Sequence, residues 1–114
     1  MSDPAAFPMF KGGYPPTAAG KRGLAKWNPR NNVLLKCGPK GTPLIMISPL
    51  PMEFVKKGDT IVMRLEEYDT VRTIHMNPKA VAPAAHTLFG FSRGRWDGTT
   101  LVVETDHIAA GYFD

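Results

Sequence analysis

The sequence predicts a mainly β fold in which a small antiparallel sheet follows an extended N-terminal arm rich in proline and glycine. Eleven glycines and eleven prolines among 114 residues disfavour long helices and favour short strands joined by turns. Residues 52–68 and residues 89–106 each contain two runs of β-branched or large apolar residues around a turn signal. Apolar and charged residues make up 43% and 21% of the chain, as in an ordinary folded globular protein.

The chain has the length of one folded domain, and we predict that residues 24–114 form a single β-rich domain. Residues 1–23 contain four prolines and no apolar period, so we predict an extended basic and aromatic arm without regular structure. Residues 1–43 carry seven Lys and Arg against one Asp, whereas residues 44–114 carry seven bases and nine acids. This asymmetry is typical of a basic segment that faces an acidic partner, and equally of a solvated leader.

Aromatic residues near the N-terminus favour contact with a protein surface. Phe7, Phe10 and Tyr14 are unusual in a flexible linker, and Trp27 follows near the start of the predicted domain. We predict that these four side chains pack on a partner subunit of a larger complex. The basic residues here are spread out and are not interleaved with aromatic residues, so we do not expect binding to nucleic acid.

The first half of the domain predicts short elements. Residues 24–32 favour a short helical turn that a proline ends, because proline lacks a backbone donor and restricts the preceding residue. The apolar run 44–48 predicts a buried strand. Residues 52–68 predict a hairpin that turns at 57–59, with Met63 and Leu65 among the side chains on its core side. Residues 70–76 predict a further strand, which the loop 77–87 connects to the second hairpin.

The second hairpin carries the strongest local signal, Asp97-Gly98, which favours a two-residue type I′ turn between two alternating runs. Counting outward from this turn places Gly94 opposite Leu101 on one face. On the other face Arg93 lies diagonal to Glu104, near enough for an ion pair. The hairpin is therefore predicted to have a glycine-lined packing face and a polar face. Trp96, beside the turn, is interpreted as a core plug or as a clasp of the hairpin.

Polar side chains on these strands form the candidate ligand site. His75 is the best candidate for a general base, because histidine titrates near neutral pH. We group it around a predicted cavity with Tyr68, Arg72, Arg93 and Glu104, in which an arginine would hold an anionic group. A histidine on a strand is also often held by a hydrogen bond without a chemical role, and Arg93 and Glu104 are equally compatible with an exposed ion pair.

No cofactor and no metal site is predicted. Cys37 is the single cysteine, so neither an internal disulfide nor a cysteine zinc cluster can form. His75, His86 and His107 lack the short spacings that are typical of metal ligands. The glycines around Gly41 lack the pattern of a phosphate-binding loop.

Four motifs carry a resemblance to a known family. They are Cys-Gly-Pro-Lys-Gly-Thr-Pro at 37–43, Pro-Met-Glu-Phe at 51–54, Arg-Thr-Ile-His-Met at 72–76 and Gly-Arg-Trp-Asp-Gly-Thr-Thr-Leu-Val-Val-Glu-Thr at 94–105. From residue 27 to residue 114 the chain resembles a widespread group of uncharacterised bacterial proteins. The resemblance implies a small curved antiparallel sheet or a partial lipocalin-like barrel, and it implies no particular activity.

Members of that group usually begin with a secretion signal and continue with further strands after the Tyr-Phe-Asp element at 112–114. The sequence has neither feature, so we interpret it as a shortened version whose compartment is undetermined. As printed it would be cytoplasmic, whereas the resemblance implies export to the periplasm. No run of about 18 apolar residues is present, so no membrane span is expected.

These patterns together predict a non-catalytic β-rich binding or assembly module, whose N-terminal arm packs on a partner subunit or along the edge of its own sheet. The alternative is a small-ligand-binding protein or an acid–base enzyme with the five polar residues above lining its cavity. We therefore expect a protein partner or an oligomer, while binding of a small molecule stays open.

Overall fold

The computed structural model describes residues 15–42 and 44–110, apart from the side chains of residues 33 and 34. The described residues fall into two compact units, one that ends at Asn31 and one that begins at Asn32. No helix in this described part is long and apolar enough to cross a membrane.

The first unit contains helix α1, Ala18–Lys26, followed by a 3-10 turn at Pro29–Asn31. Thr17 caps the helix, because its side-chain oxygen accepts a hydrogen bond from the backbone N–H three residues later at 3.1 Å. At the other end the N–H of Trp27 donates to the carbonyl oxygen of Leu24 at 3.1 Å. The helix thus ends before the proline, as the sequence indicates.

The prediction of an arm without regular structure is wrong for residues 18–23, which lie in α1. The predicted boundary between residues 23 and 24 therefore falls inside a helix. Two alanines follow the Thr17 cap, and this local preference outweighs the low helix propensity of the glycines at 20 and 23. Residues 1–14 of the predicted arm lie outside the described residues.

The second unit is built on one small curved sheet of five strands, which confirms the mainly β fold class. The strands are β1 (Met52–Lys57), β2 (Thr60–Leu65), β3 (Thr70–His75), β4 (Phe91–Asp97) and β5 (Thr100–Asp106). They lie in sequence order with β1 and β5 at the two edges. The sheet therefore does not close into a barrel.

The sheet is mixed, not wholly antiparallel as predicted. β3 and β4 run parallel and pair only between Ile74 and Ser92 and between His75 and Arg93. A parallel pair needs a long connection, which residues 76–90 supply. The sequence of this loop does not indicate whether the next strand runs parallel or antiparallel to β3. Because the pairing is so short, the two strands separate on the N-terminal side of it.

Both predicted hairpins form, and their turns lie at the same end of the sheet. β1 and β2 turn at Gly58-Asp59, whereas β4 and β5 turn at Gly98-Thr99. Gly58 and Gly98 have φ angles of 56° and 58°, the positive φ that a type II′ turn requires at its first central residue. The predicted turn at Asp97-Gly98 is therefore wrong by one residue.

This shift changes the pairing across the second hairpin but not its faces. Gly94 lies opposite Val103 and not Leu101, and Arg93 lies directly opposite Glu104. Each predicted partner differs from the observed one by two residues. Because side chains alternate between the faces with a period of two, such a shift keeps every residue on its predicted face. The glycine-lined face and the arginine-bearing face therefore keep their predicted membership.

One face of the sheet, here called the core face, carries the buried side chains. Met63, Leu65 and Ile74 on this face are at most 3% exposed. Ile45 is fully buried and clusters with Met63 and Leu65, and Phe89 packs against the cluster. The predicted core side of the first hairpin is thus confirmed at Met63 and Leu65. The opposite side is called the outer face.

The predicted buried strand at 44–48 is wrong, because Leu44–Ile47 form a 3-10 turn. Ile45 is the buried residue of this turn. A short apolar run is compatible with a strand or with a helical segment. Here the backbone N–H of Ile45 donates to the carbonyl oxygen of Gly41 at 3.0 Å, and the turn places one side chain on the core face of the sheet.

An ion pair connects the loop before this turn with the β2–β3 connection. Lys40 Nζ lies 2.6 Å from Glu67 Oε1, and the two side chains are 22% and 13% exposed. The Lys40 ammonium lowers the pKa of Glu67 below its ordinary value of 4.5. The pair is therefore expected to make the stability of this region sensitive to acid.

A Lys40→Met variant is expected to lose part of this acid sensitivity. A carboxyl group with a lowered pKa in the folded state contributes stability above its ordinary pKa, and the contribution is lost as the pH falls through the folded value. The free energy of unfolding of the wild type should therefore fall more steeply between about pH 5 and pH 3 than that of the variant. Urea unfolding at successive pH values measures both slopes.

Arg64→Met is the matched control for this prediction. Arg64 and Glu53 are 60% and 63% exposed and lie 3.7 Å apart. Such an exposed pair contributes little to stability, so the control should keep the wild-type slope. Equal slopes for the wild type and the Lys40→Met variant would contradict the role assigned to the buried pair.

Candidate functional site

A cleft of about 240 Å³ lies where β3 and β4 separate, and we call it the β3–β4 cleft. Gly90, with a φ of 67°, leads the chain into β4 beside it. The preceding loop is fixed at Thr87, whose N–H donates to the carbonyl oxygen of His107 while its own carbonyl accepts from Ala109. The cleft is lined by Val71, Arg72, Thr73, His75, Thr87, Phe89, Gly90, Phe91 and Ser92.

Arg72 is the most unusual group in the cleft, because its guanidinium is buried without a carboxylate. The residue is 6% exposed, and it forms no ion pair with any described residue. Nη2 donates to Ser92 Oγ at 2.9 Å and to Thr105 Oγ1 at 3.1 Å, and Nη1 donates to Met46 Sδ at 2.9 Å. Nε is buried and has no hydrogen-bond partner among the described residues. Burial lowers the pKa of Arg72 from its ordinary value.

Charged and aromatic side chains form a cluster on the outer face, and two of them, His75 and Phe91, also line the β3–β4 cleft. The His75 ring stacks on the Phe91 ring with a centroid distance of 4.5 Å, and Arg93 Cζ lies 4.7 Å from the centroid of that ring. Arg93 Nη1 is 2.9 Å from Asp106 Oδ2, and Asp106 Oδ1 is 2.9 Å from His107 Nδ1. His107 and Arg93 lower the pKa of Asp106 below its usual value of 3.8. Arg93 is thus already neutralised within the protein.

The structure brings together only part of the predicted ligand site. Arg72 and His75 line the β3–β4 cleft, whereas Tyr68, Arg93 and Glu104 do not. Tyr68 lies in the β2–β3 connection with a φ of 58° and is 43% exposed. Glu104 is exposed, and the predicted Arg93–Glu104 ion pair is absent from the described contacts because Arg93 pairs with another carboxylate.

The residues predicted to contact a partner are described only in part. Trp27 is half-buried and follows directly after α1. Phe7, Phe10 and Tyr14 lie outside the described residues, so their predicted contacts stay predictions.

A second concave surface, here called the Trp96 groove, has a volume of about 530 Å³. It lies at the end of the sheet where both hairpins turn, and its lining includes Lys56, Gly58, Thr60, Ile61, Met76, Pro78, Gly94, Arg95 and Trp96. A Cβ atom on Gly94 would lie 2.6 Å from Ile74 Cγ2 and 2.7 Å from Met76 Sδ. The side chains of Ile74 and Met76 therefore fill the space above this glycine on the predicted packing face.

The interpretation of Trp96 as a core plug is wrong, because its side chain is 60% exposed. Alternation along β4 correctly places Trp96 on the core face, together with Ser92, which is 3% exposed. Burial on that face declines towards the hairpin turns. Alternation shows which face of a strand is turned to the core, but not how far along the strand other segments cover that face. The groove therefore could not be predicted from the sequence.

No three His, Cys, Asp or Glu side chains within residues 15–42 and 44–110 are grouped closely enough to hold a metal ion. The rings of His86 and His107 meet edge to face with centroids 5.2 Å apart, and His75 is stacked on an aromatic ring elsewhere. Cys37 is exposed and unpaired with any other cysteine.

No protein-family model, no curated protein and no solved structure matches the chain. The two candidate sites therefore rest on the geometry of the β3–β4 cleft and of the Trp96 groove.

Proposed function

We propose that the protein is a non-catalytic binding or assembly module whose Trp96 groove holds an extended segment of a protein partner. The segment would combine apolar side chains with at least one carboxylate. The observation that carries the proposal is a tryptophan that is 60% exposed at the rim of a groove of about 530 Å³.

Exposure of Trp96 on the core face supports a docking role. Water contact with a large aromatic side chain is unfavourable, and burying one contributes more binding energy than most other residues do. The groove also includes Ile61 and Met76, which are only half-buried. An apolar side chain of a partner would complete the burial of this end of the core face.

Charge indicates which kind of segment fits the groove. Among the described residues of its lining, Lys56 and Arg95 are charged and none is acidic. Neither forms an ion pair with a described residue. A partner segment with a carboxylate would therefore be complementary, and these two cations would orient it more than they would raise its affinity.

Separation of the predicted acid–base residues weighs against the enzyme alternative. A general base and the group that holds an anion must lie within hydrogen-bond reach of one bound molecule. Tyr68, Arg93 and Glu104 do not line the cleft that contains His75. The predicted role of Phe7, Phe10, Tyr14 and Trp27 in contacting the partner is kept as a second part of the proposal.

Selection from a random peptide library displayed on phage tests the proposal. Peptides that bind the wild-type protein should combine aromatic or aliphatic residues with Asp or Glu. Trp96→Ala should raise the dissociation constant of a synthesised peptide of this class by about tenfold or more, because a central tryptophan typically dominates the binding energy. Isothermal titration calorimetry measures the dissociation constants.

Tyr68→Ala is the matched control, since Tyr68 is an exposed aromatic residue outside the groove. It should leave the peptide affinity unchanged, as should His75→Ala. Reversing both charges with Lys56→Glu and Arg95→Glu should remove the preference for acidic peptides. Selected peptides that bind the Trp96→Ala variant as tightly as the wild type would refute the proposal.

A further inference from the structure

Arg72 places a permanent positive charge where no described residue neutralises it. Arginine stays protonated in proteins and is rarely buried unless it is paired with an anion. Arg72 is 6% exposed, and its hydrogen bonds within the described residues go to two hydroxyl groups and one thioether sulfur. An uncompensated buried charge is costly, so the site is electrostatically incomplete as it stands.

Arg72 borders the β3–β4 cleft and keeps one donor without a partner among the described residues. The Nε group is buried and unpartnered, and the residue is part of the cleft lining. Met46 Sδ is a weak acceptor, so it satisfies Nη1 only poorly. Ser92 Oγ and Thr105 Oγ1 lie 3.0 Å apart, and one of the two hydroxyl protons remains free when they share a hydrogen bond. The cleft therefore offers an N–H and an O–H donor beside one cation.

Aromatic and apolar side chains form one part of the remaining lining, and the hydroxyl-bearing residues Thr73, Thr87 and Ser92 form another. Val71 and Phe89 line it together with the stacked rings of His75 and Phe91. Arg72 is the one permanent cation among the lining residues that the structure describes. A singly charged anion would balance this charge, whereas a dianion would leave an excess negative charge in a buried place. A flat apolar group attached to the anion would contact the aromatic walls.

We infer that the β3–β4 cleft is a binding site for a small organic monocarboxylate, whose oxygen accepts hydrogen bonds from Arg72 Nε and from the Ser92–Thr105 hydroxyl pair. The volume of about 240 Å³ suits a molecule of the size of an aromatic acid. The cleft shares no lining residue with the Trp96 groove, so this site and the proposed docking surface stand or fall separately.

Benzoate is the probe, with acetate, inorganic phosphate and chloride compared at equal ionic strength. In a two-dimensional ¹⁵N NMR titration of the full chain, benzoate should shift the backbone amide signals of Gly90, Ser92 and Thr105 in a saturable manner. Acetate should bind more weakly because it lacks the ring, and phosphate should bind at least about tenfold more weakly than benzoate. Chloride should give no saturable shift.

Arg72→Met removes the charge and keeps an unbranched but shorter side chain, and it should weaken the binding of benzoate by at least about tenfold. Thr105→Val removes one hydroxyl group with little change of volume, and it should weaken the binding of benzoate by a smaller factor. This second variant tests the site even if Arg72→Met does not fold. Trp96→Ala should leave benzoate binding unchanged. The inference is overturned if benzoate shifts no amide signal around the cleft, if phosphate binds equally well, or if benzoate binds the variants of Arg72 and Thr105 as it binds the wild type.

Discussion

Gly90→Ala is expected to lower the free energy of unfolding by about 3 kcal/mol. The alanine would have to adopt a left-handed backbone conformation, and its Cβ atom would clash with neighbouring atoms. Gly90 has a φ of 67°, which residues with a side chain adopt only at a cost. A Cβ atom here would also collide with the carbonyl oxygen of Asp106 and would lie 2.7 Å from Ile108 Cγ1. Backbone atoms cannot move aside cheaply, so β4 and β5 would have to shift apart.

Gly98→Ala is the matched control for Gly90→Ala. Gly98 has a similar φ of 58°, but a Cβ atom on it would meet no atom within 4 Å. It should therefore lose only the backbone contribution, about 1 kcal/mol. Urea unfolding followed by tryptophan fluorescence and circular dichroism measures both variants. Equal losses for the two variants would show that the close approach at Gly90 does not constrain the sheet.

Ile45→Ala is expected to cost about 3 kcal/mol, the second large effect. Ile45 is 0% exposed and packs on Met63 and Leu65, so its truncation leaves a cavity on the core face. A typical domain is stable by roughly 5–15 kcal/mol, so a loss of this size would populate unfolded molecules measurably. The same urea experiment determines the change.

Ile47→Ala provides the comparison, since Ile47 belongs to the same 3-10 turn but is 41% exposed. It should cost less than about 1 kcal/mol. If both substitutions destabilise the protein equally, the buried contact of Ile45 is not what attaches this turn to the sheet.

The strands could be predicted because their signals are local. β1 and β2 follow from β-branched residues around a glycine turn, and β4 and β5 follow from alternation on both sides of Gly98. The two faces of the second hairpin were predicted correctly even though the turn was placed one residue early. Side chains alternate between the two faces of a strand, so a partner that is displaced by two residues still lies on the same face.

The candidate sites depend on long-range arrangement and could be predicted only in part. Arg72 and His75 were recognised as polar residues on one strand, but alternation says nothing about whether a guanidinium is neutralised. Burial of Arg72 depends on Met46, Ser92 and Thr105, which are distant in the sequence. The exposure of Trp96 likewise depends on how far the turn at residues 44–47 extends over the core face.

By itself, the sequence determined the mainly β class, the two glycine hairpins and the core-facing side of β2, β4 and β5, because these follow from steric preferences within a few residues. Tertiary structure decided the parallel β3–β4 pair, the helical turn that buries Ile45 and the cleft around Arg72. Each of these depends on the path of a loop and on contacts between residues far apart in the chain. Local propensity leaves such contacts open, and the packing of the whole sheet selects among them.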